Sequence, residues 1–194
     1  MRIGIDIDDT LTEIKEQLNE AAYNYAKKLG KSNIVINKNF EDDNNDGNEY
    51  KKKYNFTFDE LKEFLGPIQE EIWETAKPRC NVVNVMKKLK SDGHEIYIIT
   101  ARDEMFHVDP YMQSKRWLDK YGFIYDRIIV NARNKRQVCL NEKIDLYIDD
   151  QLKNCLSILN GGIPIIMISN EKNKDITTLS NWQDIYNYIS NNKI

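Results

Sequence analysis

Asp6-Ile7-Asp8-Asp9-Thr10-Leu11-Thr12 closes an apolar run that begins at Arg2, and the reading of this stretch decides the fold. Residues Arg2 to Ile7 read as a short buried strand, because Ile3, Ile5 and Ile7 are β-branched and Gly4 alone carries no side chain. An acid at Asp6 inside such a run needs a reason, since carboxylates seldom lie unpaired beside core strands. Asp6 and Asp8 share a face while the strand stays regular, and beyond it their placement depends on the turn. An Asp-rich turn or helix cap would use the same residue types. The chemical alternative is a nucleophile beside a general acid.

The pattern recurs near the other end. Ile144-Asp145-Leu146-Tyr147-Ile148-Asp149-Asp150 is a second apolar strand that stops in adjacent carboxylates. In an open parallel sheet, ligands bind outside the carboxyl ends of the strands, where the strand order reverses. If these two strands are neighbours there, Asp6, Asp8, Asp149 and Asp150 converge on one crevice. Carboxylates that close raise one another's pKa unless a cation holds them ionised. Hard oxygen donors suit Mg2+, which binds through one or two carboxylates together with a substrate phosphate. Between the two strands, Glu95-Ile96-Tyr97-Ile98-Ile99-Thr100-Ala101-Arg102 is a third. Thr100 is placed to donate to a phosphate oxygen, and the backbone at Ala101 to form an anion-binding concavity. Arg102 can pair with phosphate or with the nearby acids.

These three motifs, in this order, resemble those of the haloacid dehalogenase (HAD) superfamily of phosphohydrolases. The first looks like its Asp-x-Asp-x-Thr signature, the second like its strand-end Thr or Ser, and the last like its closing acid pair. The superfamily's lysine is placed at Lys135, where Asn134-Lys135-Arg136-Gln137 opens a helix, with Arg136 and Lys143 as competitors. The resemblance implies an α/β fold, a doubly wound parallel sheet with a HAD-type Rossmannoid core. It implies Asp6 as nucleophile and Asp8 as acid and then base. Thr100, Ala101, Arg102 and Lys135 would hold the phosphate, and Asp6, Asp8 through its carbonyl, Asp149 and Asp150 the magnesium. Which of Asp149 and Asp150 meets the ion directly stays open.

A narrower resemblance is to the 5'(3')-deoxyribonucleotidases and their bacterial relatives. It rests on Ile-Asp-Ile-Asp-Asp-Thr-Leu-Thr, Ile-Ile-Thr-Ala-Arg and Ile-Asp-Leu-Tyr-Ile-Asp-Asp. The animal enzymes follow the Thr with Ser, so Ala101-Arg102 brings this chain nearer the bacterial members. The expected activity is that of a magnesium-dependent phosphomonoesterase acting on nucleotides. A phosphatase for sugar phosphates or other small monoesters fits the core motifs equally well. A non-catalytic binder of a phosphorylated ligand and a receiver domain are further alternatives; a receiver would lack Asp8 and the insertion described next.

Composition agrees with one enzyme domain. The chain has 194 residues, 41% hydrophobic and 30% charged, which suits a globular α/β domain with a modest insertion. A net charge of -3 argues against a nucleic-acid surface. Cys80, Cys139 and Cys155 form no Cys-x-x-Cys pair, so neither a disulfide framework nor a zinc site is indicated. No segment approaches the length of a membrane span, and a chain without a charged, apolar leader and a cytoplasmic location are expected. The expected partner is a small phosphomonoester, a nucleotide foremost. A nucleic-acid polymer or a membrane is not expected, and a homodimer is left open.

The alternation of strands and helices from Pro78 onward implies a parallel sheet with right-handed crossovers. Helices are expected over Glu13–Leu29, Phe58–Ala76, Asn81–Ser91, Pro110–Tyr121, from Lys135, over Leu152–Asn160 and over Leu179–Ile189. Gly66-Pro67 should kink or divide the second of these. The polar stretch Asn37–Asn55, with Lys51-Lys52-Lys53, reads as a loop. By resemblance, residues 1–12 and 78–194 form the core and 13–77 a small helical cap. Its aromatics Tyr23, Tyr25, Phe40, Tyr50, Tyr54, Phe56, Phe58 and Trp73 either line a pocket or build the cap's own core.

Overall fold

The computed structural model describes residues 1–31 and 49–192. Among them, β1 (Arg2–Ile5), β2 (Glu95–Ile99), β3 (Arg127–Ile129), β4 (Leu146–Asp149), β5 (Ile165–Ile168) and β6 (Thr177–Leu179) form one sheet. Its order is β3-β2-β1-β4-β5-β6, and every neighbouring pair is parallel. The order reverses between β1 and β4, which sets the carboxyl ends of these two strands side by side. Ile5 is in register with both Ile98 and Ile148, so Asp6 follows level with Asp149.

The helices α1 (Lys15–Lys28), α2 (Glu49–Tyr54), α3 (Phe58–Glu63) and α4 (Gln69–Thr75) belong to a second unit. The sheet unit holds α5 (Val82–Ser91), α6 (Pro110–Lys120), α7 (Lys135–Glu142), α8 (Leu152–Leu159) and α9 (Trp182–Asn191). Alternation along the strands divides the core in two. Ile3, Ile5, Ile96, Ile98, Leu146 and Ile148 pack with side chains of α5, α6 and α9. Tyr97, Ile99 and Tyr147 face the other way, with Cys139 of α7 and Cys155 and Ile158 of α8. Both faces are covered, which is why these strands read as continuous apolar runs. Gly4 lies under Tyr147, whose ring would stand 2.5 Å from a Cβ there.

Three boundaries depart from expectation. The first strand ends at Ile5 rather than Ile7, because the chain then winds into a turn around the Ile7 carbonyl. The closing helix begins at Trp182 rather than Leu179: Thr177–Leu179 is an edge strand, and Asn181 caps the helix by accepting from the Asp184 amide at 2.9 Å. Lys51-Lys52-Lys53 lies on a helix rather than in a loop, since Tyr50 and Tyr54, four residues apart, are both buried and anchor α2. The rest of the expected loop up to residue 48, with Phe40, lies outside the described residues.

The second unit comprises Ile14–Ala76 and Glu104–Val108. It has its own apolar core, in which Leu18, Tyr25, Tyr54, Phe56, Phe64 and Trp73 are buried. Tyr25 stacks on Phe64 at 6.1 Å between centroids and meets Phe56 edge-on at 5.3 Å. Tyr23 and Phe58 are exposed. Gly66-Pro67 does not divide the helix. A π turn over Phe64–Ile68 carries the chain from α3 into α4. Its wider ladder accommodates a proline that has no N–H to give and whose ring would crowd the preceding turn. His107 belongs to this unit, with its ring 4.7 Å from that of Trp73.

Candidate active site

The loop after β1 is built around one carbonyl. The amides of Thr10, Leu11 and Thr12 all reach the Ile7 oxygen, at 3.3, 2.8 and 3.2 Å, and Asp9 takes the left-handed conformation with φ 56°. Asp and Asn tolerate that conformation better than other residues with side chains. Arg79 braces the loop from outside, donating through Nε and Nη2 to the Asp9 carbonyl at 3.1 and 2.8 Å. From inside, the Trp182 indole N–H donates to the Thr10 carbonyl at 3.1 Å, and the Thr10 hydroxyl donates to Asp150 at 3.1 Å. The first acid motif is thereby tied directly to the last.

Asp6, Lys135 and Asp149 form the dry centre. The Lys135 ammonium, held at the first position of α7, lies 2.8 Å from Asp6 and 2.7 Å from Asp149. All three residues are buried. The ammonium also lies 5.9 Å from the centre of the Tyr147 ring, and the Tyr147 hydroxyl donates to the Ile99 carbonyl at 3.0 Å. Asp149 accepts further bonds from the Gln151 amide at 2.8 Å and from the Asn154 side chain at 3.2 Å to each oxygen. Arg136 and Lys143, the competing cations, are both outside this cluster: Arg136 packs its stem near Gly161, and Lys143 caps the end of α7 in a left-handed conformation.

The charges do not balance. Oxygens of Asp6, Asp149 and Asp150 lie within 4.8 Å of one another, with one ammonium among them. Burial, and after it the Asp149 and Asp8 charges, push Asp6 up to about 7 against the pull of Lys135. Burial, then the charges of Asp149, Asp6 and Asp9, push Asp150 up to about 8. Burial works against the Lys135 ammonium, but Asp149 and Asp6 outweigh it and hold the group well above the ordinary lysine range. An all-oxygen donor set with surplus negative charge fits a hard divalent cation such as magnesium.

Asp8 takes a different partner. Arg102 grips it with two parallel bonds, Nε to Oδ2 at 3.0 Å and Nη2 to Oδ1 at 2.6 Å. The Arg102 side chain is 2% exposed and that of Asp8 28%. Thr100 is buried at the end of β2, and its hydroxyl oxygen accepts from the Arg102 amide at 3.3 Å. Its own amide and carbonyl are bonded to Ile129 and Ala132, both at 3.0 Å. Ala101, between them, is exposed. Thus Asp6, Lys135, Asp149 and Asp150 share one cluster, and Asp8, Arg102 and Thr100 form a second linked group.

Sequence reasoning missed the supports: Thr10 on Asp150, Asn154 and Gln151 on Asp149, Arg79 on the loop, and Tyr147 beneath Lys135. Gln151 and Asn154 leave a local signal, since they follow the strand-end acid Asp149 by two and five residues.

A parallel sheet of this order, with an acid cluster at its switch point, is a doubly wound α/β core with its candidate site at the strands' carboxyl ends. Among solved structures, the fold is similar to that of a HAD-superfamily hydrolase from Ehrlichia chaffeensis, with TM-score 0.58 and 14% identity over 98% of this chain and 96% of that one. It is also similar to a protein described as "predicted phosphatase" from Clostridium acetobutylicum, with TM-score 0.73 and 15% identity over 98% of both chains. A Bacillus cereus protein named "Putative nucleotidase" is 25% identical over 197 residues, covering 97% of this chain and 98% of that one. The sequence pattern of the family described as "5' nucleotidase, deoxy (Pyrimidine), cytosolic type C protein" matches residues 1–194. The chain belongs to that family and is a phosphomonoester hydrolase. Among the described residues, no helix is long and apolar enough to cross a membrane.

Proposed function

We propose that the protein is a magnesium-dependent 5'(3')-deoxyribonucleotidase that works through an aspartyl phosphate on Asp6. The observation that carries the reading is the cluster at the switch point, where Lys135 lies between Asp6 and Asp149 with Asp150 beside them. The nucleotide assignment rests on the family match over the whole chain.

Asp6 attacks phosphorus, and the bond to the leaving oxygen breaks as Asp8 gives that oxygen its proton. Asp8 then takes a proton from water, whose oxygen attacks the same phosphorus and releases phosphate from Asp6. Lys135, the Thr100 hydroxyl and the backbone at Ala101 steady the phosphoryl oxygens as charge spreads over them. Magnesium, held by Asp6, Asp150 and the Asp8 carbonyl, would neutralise the phosphate oxygens. Asp150 is preferred over Asp149 as the direct ligand because Asp149 is fully buried and already accepts from Lys135, Gln151 and Asn154. The helical unit is proposed as the cap that selects among monoesters, and a cytoplasmic site of action goes with the family description.

The test is phosphate release from deoxyribonucleoside and ribonucleoside monophosphates and from sugar phosphates, in magnesium and in EDTA. Metal-dependent turnover that favours deoxynucleotides and disappears in Asp6→Asn is the expected result. Turnover of sugar phosphates alone would discard the nucleotidase reading.

A further inference from the structure

Arg102 lies where a phosphate ligand is expected, yet its guanidinium faces an acid. Both bonds to Asp8 are made through the side of the guanidinium that would meet a phosphate in the same two-pronged fashion, Nε and Nη2. The remaining Nη1 points to the Ser114 hydroxyl of α6 at 3.5 Å. The backbone of Arg102 is fixed as well, its amide on Thr100 and its carbonyl accepting from Asn131 at 2.8 Å. A side chain this buried cannot swing to a substrate without abandoning Asp8. Asp8, by contrast, keeps an open side, and among the described residues its carboxyl group is held by the two Arg102 bonds. A separate cation, Lys135, already lies against Asp6, where the proposed mechanism puts the phosphoryl group.

Resting on the phosphatase reading above, we propose that Arg102 is a positioning residue for Asp8 rather than a ligand of the substrate phosphate. Two parallel bonds set the plane of the carboxyl group and leave one lone pair of each oxygen pointing away from the guanidinium. A proton carried at that position is the one given to the leaving oxygen, and the lone pair left there later takes one from water. Lysine provides charge but not the planar fork, so the proposal requires arginine.

The two roles separate by leaving group. An alkoxide needs the proton from Asp8, whereas p-nitrophenolate leaves without one. In Arg102→Met, kcat/KM for a deoxynucleoside monophosphate should fall by about 10²-fold, the loss that follows a misplaced group near the chemistry. The loss with p-nitrophenyl phosphate should be far smaller, and competitive inhibition by inorganic phosphate should stay unchanged. Arg102→Lys should show the same divergence between substrates and should not restore the nucleotide rate. If Arg102→Met does not fold, Arg102→Lys carries the test. In an Asp8→Asn background, Arg102→Met should cost no further activity.

Equal losses with both substrates, together with weakened inhibition by inorganic phosphate, would overturn the proposal and return Arg102 to the phosphate. So would full rescue by lysine, or an undiminished further loss in the Asp8→Asn background. Failure of the unaltered enzyme to release phosphate from either compound in magnesium would instead remove the phosphatase mechanism itself.

Discussion

Asp6 and Asp8 are two residues apart in one loop, yet their surroundings are opposite. Asp6 is buried, sits on an ammonium that it shares with Asp149, and is pushed upward by burial. Asp8 is partly exposed and held by one guanidinium in a two-pronged pair. The difference follows from the turn around the Ile7 carbonyl, which sends the second acid away from the first. A group that must form a bond to phosphorus gains from a fixed, dry place. A group that must exchange protons with a leaving group and then with water gains from an open side. On the proposed mechanism, two identical residues would owe their separate tasks to partner and exposure rather than to chemical type.

Substitutions at the two acids should separate these tasks. Asp6→Asn should reduce turnover to background for every substrate, because the proposed mechanism forms the aspartyl phosphate on Asp6 whatever the leaving group. Asp8→Asn should cost about 10²–10⁴-fold with nucleotides, the usual contribution of an acid–base group, and less in kcat/KM with p-nitrophenyl phosphate. Steady-state phosphate release measures both. If the two variants were equally impaired on every substrate, the contrast would fail.

Lys135→Met tests the dry side through stability. It leaves Asp6 and Asp149 buried without their cation, and breaking such a pair costs roughly 3–5 kcal/mol. Urea unfolding should show that loss, with Asp6→Asn far milder because one carboxylate still faces the ammonium. Gly4→Ala, beneath Tyr147, probes the platform under the same lysine. Its Cβ would meet the ring at 2.5 Å, and overpacking of this kind costs roughly 1–3 kcal/mol.

A separate effect is one of pH and metal. Asp6 and Asp150 are raised to about 7 and about 8, whereas both ionise near 4 in an unfolded chain. Between those values the folded state binds more protons, so the stability of the metal-free protein should fall as pH rises from about 4 to about 8. Magnesium should oppose that fall. The gap in thermal midpoint between magnesium and EDTA should therefore be widest near pH 8 and narrow toward pH 5.

Much of this arrangement is legible in the chain, for a physical reason. In a sheet covered on both faces, buried strands are apolar runs, and acids mark their ends: Asp145 stands exposed before β4, while Asp6, Asp149 and Asp150 stand at carboxyl ends. That logic places Asp6, Asp149, Asp150 and Thr100 from local sequence alone. It fails where the outcome depends on residues far apart. Whether Arg102 meets phosphate or Asp8 is decided by a turn 94 positions earlier in the chain. Thr10 on Asp150 is bonded across 140 positions and leaves no local trace. The π turn is hidden for a different reason, since Gly66-Pro67 ends or kinks an ordinary helix and the wider ladder that accommodates it has no local sequence pattern. The three-residue edge strand β6 is too short to show a period.

The most direct test of the division between Asp6 and Asp8 is an acid quench of the enzyme turning over a deoxynucleoside monophosphate labelled in its phosphate. Label should remain on the protein at Asp6, accumulate in Asp8→Asn when p-nitrophenyl phosphate labelled in the same way is supplied, and be absent from Asp6→Asn. Phosphate release from Asp6→Asn at an undiminished rate, with no label on any protein, would mean that water attacks the substrate directly and that Asp6 is not the nucleophile.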